Sequence, residues 1–241
     1  RSLNNLAGTY RSLGRPEEAL LLYEEARSIL QKGYESAPGR WAEYYATSLN
    51  NLALTLDELD RPEEALPLHE EAVLIRRQGF EASPERWMDH YVISLGNLAR
   101  TMEGLGQPEK AFAFWQEAKE LTGVDSPLSA EEKLRLRMES MIMSARMLRV
   151  SKRYSEAFSE LDATKAVLDE MDHAEHSERH HFRAWSLIVR AATLVETGDI
   201  PAAKALLPEA ETLIRDHDLE DLADALDSLR SYIQSADDSG D

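Results

Sequence analysis

Residues 2–20 read SLNNLAGTYRSLGRPEEAL, and residues 48–66 read SLNNLALTLDELDRPEEAL, 46 positions further along the chain. The same step of 46 leads to three more related stretches, with no insertion or deletion between them: SLGNLARTMEGLGQPEKAF at 94–112, SMIMSARMLRVSKRYSEAF at 140–158 and SLIVRAATLVETGDIPAAK at 186–204. Self-similarity at one fixed period is the signature of a repeat architecture. The sequence therefore predicts five tandem copies of a single structural unit.

Each copy is predicted to fold as two helices joined by a tight turn. Gly14 ends the first helix, and Pro16 opens the second, where the N–H that proline lacks would have no partner in any case. Apolar residues recur at three- and four-residue spacing along both helices, which indicates one buried face on each. They are Leu3, Leu6, Ala7, Tyr10 and Leu13, followed by Ala19, Leu20, Tyr23, Ala26 and Ile29.

Two positions hold a small residue in all five copies, and they mark where the paired helices are expected to cross closely. On the first helix these are Ala7, Ala53, Ala99, Ala145 and Ala191, and on the second Ala19, Ala65, Ala111, Ala157 and Ala203. Larger residues four positions further on are expected to fill the space between successive pairs: Tyr23, His69, Trp115, Leu161 and Leu207.

The first copy resembles the tetratricopeptide repeat (TPR) signature at Leu3, Leu6, Ala7, Tyr10, Gly14, Ala19, Tyr23 and Ala26. The LNNLA stretch and the long helices are similar to those of the kinesin light chain subtype. The resemblance covers residues 1–215 and is strongest in the first three copies. It implies an all-α fold, a right-handed superhelical solenoid of antiparallel helix pairs that acts as a protein-binding scaffold.

The later copies depart from the signature, and the period is longer than usual. Ser144 replaces the core leucine of the fourth copy and Lys152 replaces its turn glycine, while Arg190 takes the leucine position of the fifth. The standard repeat has roughly 34 residues, so the additional residues are expected to lengthen both helices on the side where copies join. HEAT repeats share this period range and are the alternative fold, although the GRPEEA turn argues against them.

The copies are expected to occupy residues 1–215, followed by a capping helix at 216–235 and a disordered acidic tail at 236–241. Leu222, Leu226, Leu229 and Ile233 give the capping helix one apolar face. The predicted copy boundaries are 1–46, 47–92, 93–138, 139–184 and 185–215.

Composition restricts the possible partners. Lys plus Arg number 27 against 45 Asp plus Glu, a net charge of −18 that repels phosphate backbones and anionic lipids, so neither nucleic acid nor a membrane is expected as a partner. Cysteine is absent, which removes disulfides and thiolate chemistry and fits a reducing, cytoplasmic environment. No signal peptide is visible. Because the sequence opens with Arg1 rather than Met, directly inside a repeat, we expect the chain to be part of a longer protein.

The sequence contains no Walker loop, dinucleotide-binding glycine motif or nucleophile elbow, so neither an enzyme nor a cofactor is expected. One histidine cluster attracts attention: His173, His176, His180 and His181. His176 and His180 are four apart and would share a helix face, a spacing that can hold zinc. The favoured interpretation is instead an exposed, pH-sensitive loop where the fourth and fifth copies join.

Trp41 and Trp87 lie 46 positions apart, and each opens the long first helix of a copy. We expect these two side chains to staple neighbouring copies together. Stacking on a ligand is the alternative.

Polar residues off the packing stripe of the first helices predict a binding groove, since in TPR proteins these helices line the concave face. Asn5, Asn51 and Asn97 recur at one position although asparagine is a mediocre helix former, and an amide can pair with the main chain of an extended peptide. The alternative is that these amides bridge adjacent helices. The predicted groove, with arginines and an apolar end, comprises Asn4, Asn5, Asn50, Asn51, Asn97, Arg100, Ile142, Met143, Arg146 and Arg149.

The predicted function is that of a scaffold or adaptor binding a peptide or partner domain. The alternative is the C-terminal sensor or regulatory region of a larger signalling ATPase or caspase-like protease, whose catalytic domain would lie upstream.

Overall fold

The computed structural model describes residues 2–123 and 128–238, and within these ranges every regular element is an α-helix. The helices are α1 (Ser2–Ser12), α2 (Pro16–Ser36), α3 (Pro38–Glu58), α4 (Pro62–Ala82), α5 (Pro84–Gly104), α6 (Pro108–Leu121), α7 (Ala130–Val150), α8 (Tyr154–His173), α9 (Arg179–Glu196), α10 (Ile200–His217) and α11 (Glu220–Asp238). The prediction of an all-α protein is confirmed. No helix of the described residues is both long and apolar enough to cross a membrane.

Helices pair in the order in which they occur along the chain. Each odd-numbered helix from α1 to α9 packs against the even-numbered helix that follows it, as expected for antiparallel pairs. Further contacts join α2 to α3, α4 to α5, α8 to α9 and α10 to α11. The chain forms two compact units, one containing α1 to α6 and the other α7 to α11.

The five turns inside the helix pairs share one left-handed residue at the same repeat position. These residues are Gly14, Asp60, Gly106, Lys152 and Gly198, with φ between 57° and 86°. In the first turn Gly14 N donates to Arg11 O at 3.0 Å and Arg15 N donates to Tyr10 O at 3.0 Å, the two bonds of a Schellman motif. The same pair of bonds recurs in the other four turns. Lys152 therefore adopts the same left-handed turn conformation as the glycines, although it replaces the turn glycine of the signature.

The additional residues of the long period lengthen the helices at the joins, as predicted. The helices from α2 to α5 each contain 21 residues, and a single residue, Ala37 or Ser83, separates a second helix from the next first helix. Pro38 and Pro84 open these first helices, where the missing N–H costs nothing.

Tryptophan and glycine meet at both of these joins. A Cβ built on Gly33 would lie 2.9 Å from Trp41 Cδ2, and one on Gly79 would lie 2.3 Å from Trp87 Cδ2. Each indole therefore occupies the space that a larger residue of the preceding helix would need. The expectation that these tryptophans fasten neighbouring copies is confirmed.

A tyrosine on each of the two long first helices α3 and α5 bonds the second helix of its own pair. Tyr45 donates to Glu71 Oε1 at 2.8 Å, and Tyr91 donates to Glu117 in the same way one copy later. Burial, and then the neighbouring carboxylate, raise the pKa of both phenols to about 12. Both tyrosines therefore remain neutral donors across the pH range in which proteins fold.

The alanine rows lie at the helix crossings, as predicted. All ten alanines are buried, and none is more than 1% exposed. Of the larger residues expected between pairs, Tyr23, His69, Trp115 and Leu161 are buried, whereas Leu207 is only half-buried.

The C-terminal helix packs against both α9 and α10. Its predicted apolar face is buried, at Leu222, Leu226, Leu229 and Ile233. α11 extends to Asp238, three residues into the segment that was expected to be disordered, and residues 239–241 lie outside the described residues.

Candidate functional site

In the first unit, the asparagines expected to bind a ligand differ in how much surface they offer. Asn97 on α5 is only 4% exposed, and its Nδ2 donates to Asn50 Oδ1 on α3 at 2.9 Å. Asn97 Oδ1 in turn accepts from the Arg100 guanidinium, which also lies 5.7 Å over the Trp115 ring. For Asn50 and Asn97 the structure thus shows the alternative role, a bridge between adjacent first helices.

The remaining asparagines are more accessible. Asn5 is exposed and Asn51 is half-buried, while the half-buried Asn4 has its Oδ1 at 3.5 Å from Ser48 Oγ. Of the predicted track in this unit, Asn5 and Asn51 keep amide surface that a ligand could reach.

At the repeat position of Asn4 and Asn50 the third copy has Gly96, and the reason is steric. A Cβ on Gly96 would lie 3.0 Å from Trp115 Cη2 of the partner helix. The first and second copies carry the smaller rings of Tyr23 and His69 at the position of Trp115. The glycine thus compensates for the larger ring.

A buried polar network connects the second and third copies. His69 is wholly buried, its Nε2 lies 3.1 Å from Asp57 Oδ2, and Thr101 Oγ1 donates to the same oxygen at 2.8 Å. Arg76 is 4% exposed, and its guanidinium donates to His90 O at 3.0 Å and to the hydroxyl groups of Ser94 and Thr47. Burial lowers the pKa of Arg76 to about 10, so it still carries a charge at neutral pH. These polar groups hold the helices together rather than facing a ligand.

In the second unit, the two residues predicted to form the apolar end of the groove are buried. Ile142 is entirely buried and Met143 is 3% exposed, and neither lines the cavity between α7, α9 and α11 that is described next. Ile142 belongs to a core cluster that also contains Leu161 and Phe182, which explains its burial.

A cavity of about 400 Å³ lies beside the predicted arginines of this unit, between α7, α9 and α11. Arg146 and Arg149 line it, and Arg149 forms an ion pair with Glu196, which also lines it. The apolar wall includes Ile188 and Val189, which continue the rows of Ile142 and Met143 by one copy. Two arginines against one glutamate give the lining one net positive charge in a chain of net charge −18.

The third wall of this cavity was not predicted. α11 contributes Leu222, Ala225, Ser228, Leu229 and Tyr232, and Tyr232 is 56% exposed. The signal was present in the sequence, because Ala225, Ser228 and Tyr232 recur at helical spacing beside the buried stripe.

The histidine cluster does not form an exposed loop throughout. His176 is 4% exposed, its Nδ1 accepts from Glu178 N at 3.1 Å, and its Nε2 lies 3.1 Å from Glu131 O. The expectation of exposure is therefore wrong for His176, because both ring nitrogens are engaged within the fold. Within residues 2–123 and 128–238 no three His, Cys, Asp or Glu side chains are grouped to hold a metal ion.

The other histidines of the cluster have separate partners. His180 stacks on His217 of α10 with ring centroids 3.7 Å apart, and His181 Nε2 lies 2.8 Å from Asp221 Oδ2 of α11. His173 Nδ1 lies 2.6 Å from Asp169 O within its own helix.

The helix pairs, their Schellman turns and the crossing alanines are those of a tandem helix-pair array, and parts of the chain match sequence models of the tetratricopeptide repeat. Residues 1–35 and 46–84 match one tetratricopeptide repeat sequence model, and residues 184–209 match another. No curated protein matches the sequence.

Several solved structures of helical repeat proteins share the fold of this chain. A Podosopora anserina structure described as a kinesin light chain with nearly identical TPR-like repeats superposes with a TM-score of 0.68 at 23% identity, covering 88% of this chain and 93% of the other. A point variant of that protein gives 0.69 at 21% identity, covering 91% and 96%. A Rap protein complexed with Competence and Sporulation Factor gives 0.59 at 15% identity, covering 98% of this chain and 63% of the other. At these identities the likeness shows the fold.

Proposed function

We propose that this protein is an interaction scaffold that binds a peptide segment of a partner protein through its first helices. The observation that carries the proposal is the cavity between α7, α9 and α11, which joins an apolar wall to Arg146 and Arg149. Its volume of about 400 Å³ lies within the usual range for pockets that enclose a ligand group.

The chemistry of the lining selects the class of peptide. Ile188, Val189 and Leu222 would contact an apolar side chain, and the net positive charge would favour a carboxylate next to it. A ligand whose apolar anchor adjoins Asp or Glu fits both features. The overall charge of −18 opposes such a ligand at long range, so binding should be stronger at moderate salt than at very low salt.

The fold supports the same class of function. A Rap protein of similar fold is known in complex with Competence and Sporulation Factor. In the first unit, the accessible amides of Asn5 and Asn51 would hold an extended main chain, since an amide both donates and accepts.

A peptide selected from a random library tests the proposal. Ala192→Phe would fill the cavity and should weaken binding at least tenfold, and Arg146→Ala should weaken a peptide carrying the carboxylate more than its amide analogue. The control is Arg215→Ala, which removes an arginine whose side chain is 72% exposed at the end of α10. The proposal fails if Ala192→Phe, folded by circular dichroism, binds as tightly as the parent.

Asn51→Ala tests the first unit separately. Loss of one main-chain hydrogen bond should weaken a peptide bound to the first unit by about 1 kcal/mol. Asn97→Ala is a poorer test than the sequence suggested, because it also breaks the bond to Asn50.

A further inference from the structure

Glu196 places a negative charge on the wall of the cavity between α7, α9 and α11. It is the last residue of α9, where the backbone carbonyls at the end of the helix already carry partial negative charge. A carboxylate at that point is unfavourable unless a cation compensates for it. The position of Glu196 therefore requires a positive partner.

Arg149 of α7 is that partner. Its guanidinium forms an ion pair with Glu196, and the two side chains are only 21% and 28% exposed, so solvent screens the pair incompletely. The phenol of Tyr154, at the start of α8, also bonds Glu196. Desolvation, and then the charge of Glu196, raise the pKa of Tyr154, so the phenol remains a neutral donor. Two donors from two helices thus hold the Glu196 carboxylate.

An equivalent ion pair in the first unit shows that this pairing belongs to the fold. Arg11 Nε lies 3.4 Å from Glu58 Oε1, and Glu58 is likewise the last residue of its helix, α3. Arg149 and Glu196 are 47 positions apart, the same separation as in the first unit. In each case an arginine of one first helix neutralises the carboxylate at the end of the next first helix. Arg149 is therefore engaged by Glu196 and does not add a second positive charge for a ligand.

We infer that Glu196 restricts the proposed peptide site to ligands that carry a single negative charge beside the apolar anchor. The inference rests on the proposed function, because it concerns the same cavity. With Arg149 paired, the lining keeps one net positive charge, which matches one carboxylate. A second carboxylate, or the second charge of a phosphate group, would meet the charge of Glu196 and the end of α9 and be repelled.

Three synthetic peptides blocked at both ends test the inference. They are acetyl-Ala-Leu-Asn-Asn-amide, acetyl-Ala-Leu-Asp-Asn-amide and acetyl-Ala-Leu-Asp-Asp-amide, which carry no, one and two carboxylates. Binding is measured by NMR titration of the Trp185 indole N–H, because Trp185 lines the cavity. The parent should bind the one-carboxylate peptide most tightly. Glu196→Gln should bind the two-carboxylate peptide at least fivefold more tightly than the parent does, whereas Glu196→Asp, which keeps the charge, should retain the parent's preference.

Glu58→Gln is the matched control, because it removes the equivalent carboxylate of the first unit and leaves the cavity lining unchanged. It should bind all three peptides as the parent does. The inference fails while the proposed function stands if the parent binds the two-carboxylate peptide more tightly than the one-carboxylate peptide, or if Glu196→Gln leaves the preference unchanged. Both fail if the parent binds none of the three peptides.

The ion pair itself is tested without a ligand. In urea unfolding, Arg149→Gln should shift the midpoint less in the Glu196→Gln background than in the parent, because the partner charge is then absent. Equal shifts in both backgrounds would show that Glu196 does not engage Arg149, and would overturn the inference.

Discussion

At the scale of single residues, the joins between copies depend on glycine. Gly79→Ala would place a Cβ 2.3 Å from Trp87 Cδ2 and force the indole from its place. We expect a loss of about 1–3 kcal/mol in the free energy of unfolding, the range for overpacking a well-filled site. Urea unfolding followed by tryptophan fluorescence measures it.

Gly104→Ala is the matched control, because a Cβ at Gly104 meets no atom within 4 Å. Alanine is the better helix former, so this variant should equal or exceed the parent in stability by up to about 1 kcal/mol. If both variants lose the same stability, the indole contact is not the cause.

Replacing the left-handed residue Lys152 with glycine should stabilise the protein. Its φ of 57° is unfavourable for a residue with a Cβ, and glycine occupies the equivalent position at Gly14, Gly106 and Gly198. Lys152→Gly should therefore raise the free energy of unfolding by about 0.5–1 kcal/mol, while Lys152→Ala should stay within about 0.5 kcal/mol of the parent. Thermal unfolding of both variants against the parent is the measurement, and a destabilised glycine variant would contradict the argument.

The burial of single residues could not be predicted from the repeat pattern. The period placed Asn5, Asn51 and Asn97 in one row, yet a row position does not say how deeply each residue is buried. Asn97 is enclosed because α3 and α5 approach closely enough for Asn50 to reach it. That contact lies between residues on different helices, and no pattern within one helix reveals it.

At the scale of helices, the ends were the most predictable feature, because they are encoded locally. Pro16 opens α2 two positions after the left-handed Gly14, as the sequence predicts. The cavity wall supplied by α11 was less predictable, because this helix does not follow the 46-residue register.

The stacked rings of His180 and His217 couple α9 to α10 and should make that contact pH-dependent. Burial, then the charges of His217 and Arg179, lower the pKa of His180, while Asp172 opposes the shift. Because the folded-state pKa lies below the unfolded value, the unfolded chain binds the proton more readily. The stabilisation should therefore be complete above the unfolded pKa near 6.5 and be lost as the pH falls from there through the lower folded-state pKa.

His217→Phe keeps an aromatic ring but removes one charge, so it should reduce the loss of stability between pH 8 and pH 5. His173→Gln is the control, because His173 contacts its own helix through Asp169 O. Urea midpoints across this pH range measure both variants, and an unchanged pH dependence in His217→Phe would refute the coupling.

At the scale of the whole molecule, the substantial contacts among the described residues join helices that are close in sequence. Each such helix pair is one or two positions apart in the order from α1 to α11. Damage should therefore begin locally. Ala65→Leu, at a fully buried crossing of α3 and α4, should cost about 1–3 kcal/mol and speed amide exchange first in α3, α4 and α5. Exchange that rises equally in α9 to α11 would contradict this.

The same neighbour-to-neighbour contacts have a consequence for how the chain reaches its fold. Contacts between nearby segments require little loop-closure entropy, so low contact order and rapid folding are expected. During synthesis, a helix pair within either compact unit can pack on the pair before it in that unit as soon as its second helix has left the ribosome. The single-residue links at Ala37 and Ser83 reduce the loop-closure entropy further, because each newly made first helix, α3 or α5, emerges directly next to the preceding helix on which it packs.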